Sequence, residues 1–197
     1  LTKEVTLTKE QALLDIYTLQ RSFEETGGID GKTVVFVGDL ARGRTVRSLA
    51  ALLMNYRDVN QMFVAPEKLQ IGQDILDMLR KAGVRVELSD DFRGAIPRAD
   101  AIYMTRVQDE WDAEKGESRR IDISRYCFGV EHLDLLKPRA VILHPFPRRH
   151  EISPEVDRDP RAVYWRQMRN GMWIRAALIA GIFRRDGEIH DYYQKHL

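Results

Sequence analysis

Short apolar runs alternate with longer amphipathic stretches along this chain, and the two periods separate strands from helices. Residues 33–37, Thr-Val-Val-Phe-Val, form an apolar, β-branched run that predicts a buried strand. Residues 45–56 follow with helical spacing, placing Val46, Leu49, Ala50 and Leu53 on one face. Residues 61–64 predict a second strand. Residues 74–82 predict a helix stopped at Gly83, a C-cap residue. Residues 84–88 alternate as a third strand, residues 101–104 form a fourth and residues 141–143 a fifth. Near the start, Thr8-Lys9-Glu10-Gln11 has the spacing of a capping box, with Thr8 at the N-cap of a helix that continues through Leu19.

Strands separated by helices imply right-handed crossovers and a parallel sheet covered on both faces. The expected fold is therefore α/β: a doubly wound, Rossmann-like parallel sheet of about five strands with helices on both faces. No internal boundary or structural repeat divides the chain, so residues 1–197 are expected to form one domain. Only Leu1-Thr2-Lys3-Glu4 recurs, as Leu7-Thr8-Lys9-Glu10.

Composition narrows the function classes. The chain has 197 residues, 44% of them hydrophobic, which excludes a disordered polymer and allows one sizeable core. A formal net charge of +1 supplies no global field toward nucleic acid or membrane. Cys127 is the single cysteine, so no intrachain disulfide framework or Cys-x-x-Cys metal site is expected, and a reducing, cytoplasmic setting fits. No apolar run has the length of a membrane span, and residues 1–10 lack a signal-peptide core.

In open α/β sheets, ligands bind beyond the carboxyl ends of the strands. Gly38-Asp39 follows the first strand, Thr105-Arg106 the fourth and His144-Pro145 the fifth, so all three segments belong to one sheet edge. Arg44 sits near a helix N-terminus and Arg106 at a strand end. Two guanidinium groups on one edge suit a small dicarboxylate, each binding a carboxylate with two parallel hydrogen bonds. Surface arginines in ordinary salt bridges are the alternative. The loop His144-Pro145-Phe146-Pro147-Arg148 is stiffened by its prolines, whose missing N–H groups leave nearby carbonyls unpaired. Such carbonyls suit a ligand offering N–H groups, such as an amide; a plain turn is the alternative.

Other candidate chemistries are weaker. The glycine-containing loop 38–44 is neither a dinucleotide fingerprint nor a P-loop. Asp39 caps the next helix or orients an arginine, and a structural role is favoured. His144 and His150 lack a third metal ligand at useful spacing, so no metal is expected. Arg148, Arg149, Arg166 and Arg169 lack the interleaved aromatics of a nucleic-acid surface.

Three stretches together resemble the aspartate-binding half of the aspartate carbamoyltransferase family. They are residues 37–49, Val-Gly-Asp-Leu-Ala-Arg-Gly-Arg-Thr-Val-Arg-Ser-Leu; residues 103–108, Tyr-Met-Thr-Arg-Val-Gln; and residues 144–148. Gln11-Ala12-Leu13-Leu14-Asp15, Glu151-Ile152 and the run 167–178 with Asn170-Gly171 belong to the same pattern, which covers roughly residues 11–185. A sibling family that carbamoylates ornithine usually carries cysteine where this chain has Pro145.

The resemblance implies transfer of a carbamoyl group from carbamoyl phosphate to the amine of L-aspartate, with no cofactor. It implies that Arg44, Arg106 and Gln108 hold aspartate, and that Gln11, Pro145, Phe146 and Pro147 contact carbamoyl phosphate. For Gln11, the capping box remains a sufficient structural explanation. The resemblance also implies a cis Phe146–Pro147 bond and a homotrimer for the full-length enzyme, while leaving regulatory chains open.

Several positions depart from the family. Thr8-Lys9-Glu10 stand where the family has His-Pro-Thr before Gln11, so the histidine that polarises the carbamoyl oxygen is replaced. Arg47 replaces a frequent histidine. Trp111 replaces an arginine of a charged mobile loop expected at 109–122. The family's phosphate-binding Ser-x-Arg-Thr segment, and the carbamoyl-phosphate domain that carries it, do not occur in the sequence. The expectation is therefore an aspartate-binding domain inactive on its own; the alternative is a non-catalytic, aspartate-binding or structural module.

Overall fold

The computed structural model describes residues 3–108 and 121–196. Its centre is a five-stranded, all-parallel sheet in the order β3-β2-β1-β4-β5. The strands are β1 (Thr33–Val37), β2 (Asn60–Val64), β3 (Arg85–Ser89), β4 (Ala101–Met104) and β5 (Val141–Leu143). The helices are α1 (Lys3–Ser22), α2 (Arg44–Leu53), α3 (Gln73–Lys81), α4 (Phe92–Ala95), α5 (Tyr164–Ile182) and α6 (Asp186–His196). Every predicted strand is present within one residue of its expected bounds.

The two-residue period of the strands builds two cores. Val34 and Phe36 of β1, Phe63 of β2 and Tyr103 of β4 face one side, packed under α1, α2 and α3. Val35 and Val37, Met62 and Val64, and Ile102 and Met104 face the other, with Phe92, Phe128 and Tyr164. Phe36 and Phe63 stack with centroids 5.1 Å apart. Each fully buried side chain of this size contributes about 2–3 kcal/mol relative to exposure. Burial on both faces is why the central strands read as continuous apolar runs.

Two helix boundaries differ from expectation. Helix α1 begins at Lys3, so Thr8 lies inside it rather than at its N-cap. Residues 3–8 contain neither glycine nor proline and include Lys, Glu and Leu, so nothing halts the helix before Thr8. Helix α2 ends at Leu53 rather than at 56. The backbone N–H groups of Met54 and Asn55 bond back to Ala51 and Leu52 in tightened turns, and the Asn55 amide donates to the Leu52 carbonyl at 3.0 Å.

The strand order reverses between β1 and β4, which are adjacent although β2 and β3 intervene in sequence. Their carboxyl ends flank the topological switch point, where open α/β folds place their ligands. Gly38 leaves β1 with φ +112°, and an added Cβ would stand 2.3 Å from the Thr105 carbonyl oxygen. The strand ends can therefore approach this closely only through glycine. We expect Gly38→Ala to cost about 2–4 kcal/mol, from left-handed strain plus the clash. Urea unfolding checks this; a loss below about 1 kcal/mol would show that the strand ends relax apart.

Candidate functional site

A cleft of about 280 Å³ opens at the carboxyl edge, beside this switch point. Arg44 and Thr45 at the start of α2 form one side. Thr105, Arg106 and Gln108 after β4 form the next, and His144, Pro145, Phe146 and Pro147 after β5 the third. Gln11 of α1 and Arg175 of α5 complete it. Every residue singled out from the sequence as a ligand contact thus lines one cleft. Arg175 was missed. It lies in the run 167–178, but the pattern alone gave no reason to turn this arginine toward the sheet edge.

The loop after β5 is held from beneath. The Phe146 backbone N–H donates to His144 Nδ1 at 2.8 Å. That fixes the neutral tautomer with its proton on Nε2, which faces Glu151 Oε1 at 2.7 Å. The same carboxylate oxygen accepts the Arg149 N–H at 3.0 Å. Burial pushes the Glu151 carboxyl up, but the hydrogen bonds from His144 and from the Glu151 and Arg149 backbones outweigh it, leaving it below its ordinary value. Both imidazole nitrogens are engaged, and no group of three metal-ligating side chains occurs among the described residues.

Farther along the loop, the Phe146 ring packs on Trp165 with centroids 5.0 Å apart. The Phe146–Pro147 bond is cis, and Phe146 itself holds φ +50°. A positive φ costs a bulky residue on the order of 1–3 kcal/mol and persists only where neighbours impose it. The His144 acceptor and the Trp165 face do so here. Arg148 ends the loop in a bidentate pair with Asp157 and lies over the Tyr164 and Trp165 rings at 5.6 and 5.8 Å. It is therefore a structural clamp.

Opposite, Asp39 organises the β1 and β4 loops. It is buried, and its carboxylate accepts the backbone N–H groups of Arg42 and Gln108, each at 3.1 Å. It does not cap α2, whose N-cap is Gly43. One side chain thus ties the segment leading to Arg44 to the segment bearing Gln108. Arg47 turns away from the cleft and pairs with Asp74 of α3. Trp111 and most of the expected mobile loop lie outside the described residues.

Beneath the cleft lies a buried polar node. Asp15 of α1 accepts from the Tyr103 hydroxyl at 2.7 Å, Gln167 Nε2 at 2.6 Å and Gln11 Nε2 at 2.7 Å. Gln167 Oε1 in turn accepts the His144 backbone N–H at 2.8 Å. Gln11 therefore has a structural partner while also lining the cleft. Burial pushes Asp15 up to about 7, although the three donors pull the other way. Burial and the neighbouring Asp15 charge push the Tyr103 phenol well above its ordinary value, so it stays neutral and donates.

Fold and site together define the class: an open, doubly wound α/β domain with an arginine-lined cleft at its topological switch point. Within that class, the chain belongs to the aspartate/ornithine carbamoyltransferase family, with residues 30–182 matching its Asp/Orn-binding domain. It is 44% identical over 169 residues to an aspartate carbamoyltransferase of Arabidopsis thaliana named chloroplastic, covering 86% of this chain and 43% of that protein. It is 42% identical to the aspartate carbamoyltransferase catalytic subunit of Thermococcus kodakarensis, covering 86% and 53%. Among solved structures it resembles the Trypanosoma cruzi aspartate transcarbamoylase in complex with N-(phosphonacetyl)-L-aspartic acid. That match has a TM-score of 0.77 and 35% identity, covering 86% of this chain and 54% of that one. The chain thus spans about half the length of each of these three relatives.

The Asp15 node makes stability depend on pH. An acid whose folded value lies above its unfolded one is penalised once the unfolded chain ionises. Its contribution to stability therefore falls as pH rises from about 4 to about 7, then levels. The full penalty is on the order of 4 kcal/mol. Asp15→Asn removes the titration. We expect the stability of the variant relative to wild type to rise by several kcal/mol between pH 4 and pH 8, measured by urea unfolding. A pH-independent difference would mean that Asp15 does not titrate in this range.

Proposed function

We propose that this chain is the aspartate-binding half of an aspartate carbamoyltransferase, folded as one domain over residues 1–197. The observation that supports this best is convergence: segments from three strand ends, recognisable separately in sequence, meet in one cleft. Arg44 and Arg106 would each pair with one carboxylate of L-aspartate, and Gln108 would orient it. The carbonyls of Pro145 and Phe146 would accept from the NH2 group of carbamoyl phosphate, with Gln11 and Pro147 beside it. The amine of aspartate forms the new C–N bond to the carbamoyl carbon. The C–O bond to phosphate breaks, and the amine gives up its proton. No protein nucleophile is required, so this half would act by orienting and positioning. Crystals of the Trypanosoma cruzi enzyme with carbamoyl phosphate and aspartate support both substrates for this cleft.

A second reading is a non-catalytic, aspartate-binding or structural module. Thr8-Lys9-Glu10 favours it, standing where the family has His-Pro-Thr. A homotrimer of the full-length enzyme is what the family resemblance implies. No helix among the described residues is long and apolar enough to cross a membrane. The lone, half-buried Cys127 suits a reducing compartment such as the cytoplasm, although the plant relatives are named chloroplastic.

Two outcomes test the proposal. Purified chain should bind succinate, an unreactive dicarboxylate, and Arg44→Gln or Arg106→Gln should each weaken that binding about tenfold or more, the size of one lost charged hydrogen-bond pair. Calorimetry that shows unchanged affinity in both variants would remove the dicarboxylate assignment. The same chain should show no measurable carbamoyl transfer, because each missing transition-state contact costs about 10²–10³ in rate. Turnover by the chain alone at the rate of a complete enzyme would refute the assignment of this chain as a half-site.

A further inference from the structure

We propose that Asp15 is a positioning residue that sets the hydrogen-bonding polarity of the cleft. Its Oδ1 atom holds the Gln11 side-chain amide with the nitrogen inward, so that the amide oxygen is presented to an NH2 group of the ligand. This rests on the cleft taking a dicarboxylate that bears a carbamoyl group. Gln11 and Asp15 stand one turn apart on α1, where side chains at i and i+4 share a face. Gln11 lines the cleft, while Asp15 is fully buried beneath it. A side-chain amide has donors at one end and an acceptor at the other, and the two ends are nearly alike in shape. Packing therefore leaves its orientation open, and the hydrogen-bond partner decides it.

The partner here only accepts. An ionised carboxylate has no proton to give, so an amide that faces it must turn its NH2 group inward. Asp15 Oδ1 imposes this twice. It accepts from Gln11 Nε2 at 2.7 Å and from Gln167 Nε2 at 2.6 Å, while Oδ2 takes the Tyr103 hydroxyl at 2.7 Å. Gln167 displays the consequence, because its oxygen, turned away from Asp15, accepts the His144 backbone N–H at 2.8 Å. The Gln11 oxygen is likewise left on the side away from Asp15, and among the described residues none donates to it. Reversing the Gln11 amide would lose a charge-assisted hydrogen bond and set oxygen against oxygen. The α1 wall thus offers an acceptor, the polarity also proposed for the carbonyls of Pro145 and Phe146. An NH2 group fits this polarity, whereas a methyl group in its place leaves the acceptor unpaired.

The test uses the whole chain at about pH 8, above the Asp15 value of about 7. Two ligands differ in one group: N-carbamoyl-L-aspartate, and N-acetyl-L-aspartate, in which CH3 replaces NH2. Succinate reports dicarboxylate binding alone. Calorimetry should show wild type preferring the carbamoyl ligand by about tenfold or more. Asp15→Leu should narrow that preference by about fivefold, the size of one hydrogen bond, and leave succinate within about twofold. General damage to the fold would instead weaken all three ligands together. Asp15→Asn should keep the preference, because its NH2 group can face Tyr103, whose hydroxyl can rotate to accept, and its oxygen still serves both glutamines. An unchanged preference in Asp15→Leu would overturn the proposal, and so would equal affinity of wild type for the two aspartate derivatives. Loss of a buried carboxylate can also prevent folding, so wild type supplies a second measurement. NMR of isotope-labelled glutamine side chains follows the NH2 resonances of Gln11 and Gln167 as Asp15 titrates near 7. Both should move with one midpoint. Tyr103, the other titratable side chain bonded to Asp15, stays neutral throughout, and His144 meets the node through its backbone N–H. A Gln11 resonance that stays flat overturns the contact. If succinate does not bind, the dicarboxylate reading fails and the resonances alone judge Asp15.

Discussion

The buried carboxylate of Asp15 is the constraint on which the rest of the site depends. It is fully enclosed, and it draws donors from α1, β4 and α5 onto two oxygen atoms. An enclosed polar group without partners costs several kcal/mol, whereas one with all its partners fixes their relative positions. The node therefore works as a locator for three elements. Gln167 carries this order one step outward, because its other amide atom accepts the His144 backbone N–H where β5 ends. The start of the candidate amide-binding loop is thus set by the same group that joins the helices to the sheet.

Two further acids repeat this device at the strand ends. Beyond the last ladder bonds, a backbone N–H must find another acceptor or water. Asp39 serves the segments after β1 and β4, while Glu151 serves the segment after β5 directly and through His144. Charged hydrogen bonds contribute about 1.5–3 kcal/mol each, more than neutral ones. Two such bonds per carboxylate are enough to hold a loop that has no regular secondary structure. The cleft walls can consequently be rigid although they are loops, which is what a positioning site requires.

How much of this was legible in the sequence follows from which signals are local. The strands were readable because apolar, β-branched runs such as 33–37 are buried on both faces. The site edge was readable because the fold rule concerns strand ends, where Arg44, Arg106 and His144 lie. Asp15 was not readable as a node, since its partners Tyr103 and Gln167 are 88 and 152 residues away. Arg175 was hidden for a similar reason: its direction depends on Gly171 and on the approach of Leu14 from another helix. The capping box at Thr8 misled because a cap pattern is a local preference worth about 1 kcal/mol. The five helical residues before it, Lys3 to Leu7, outweigh it.

Magnitudes also separate the parts of the cleft that are fixed from those that can respond to a ligand. The loop 144–148 is tied at one end by the buried His144–Glu151 hydrogen bond, at the other by the Arg148–Asp157 ion pair, and between them by the Phe146–Trp165 contact, so moving it would break several bonds together. Arg175 is different, since its partner is Glu10. An ion pair between partly exposed side chains is worth about 0–1 kcal/mol, and a separation of 3.6 Å places this one among the looser examples. One wall of the cleft is thus preset, and the other can rearrange at small cost.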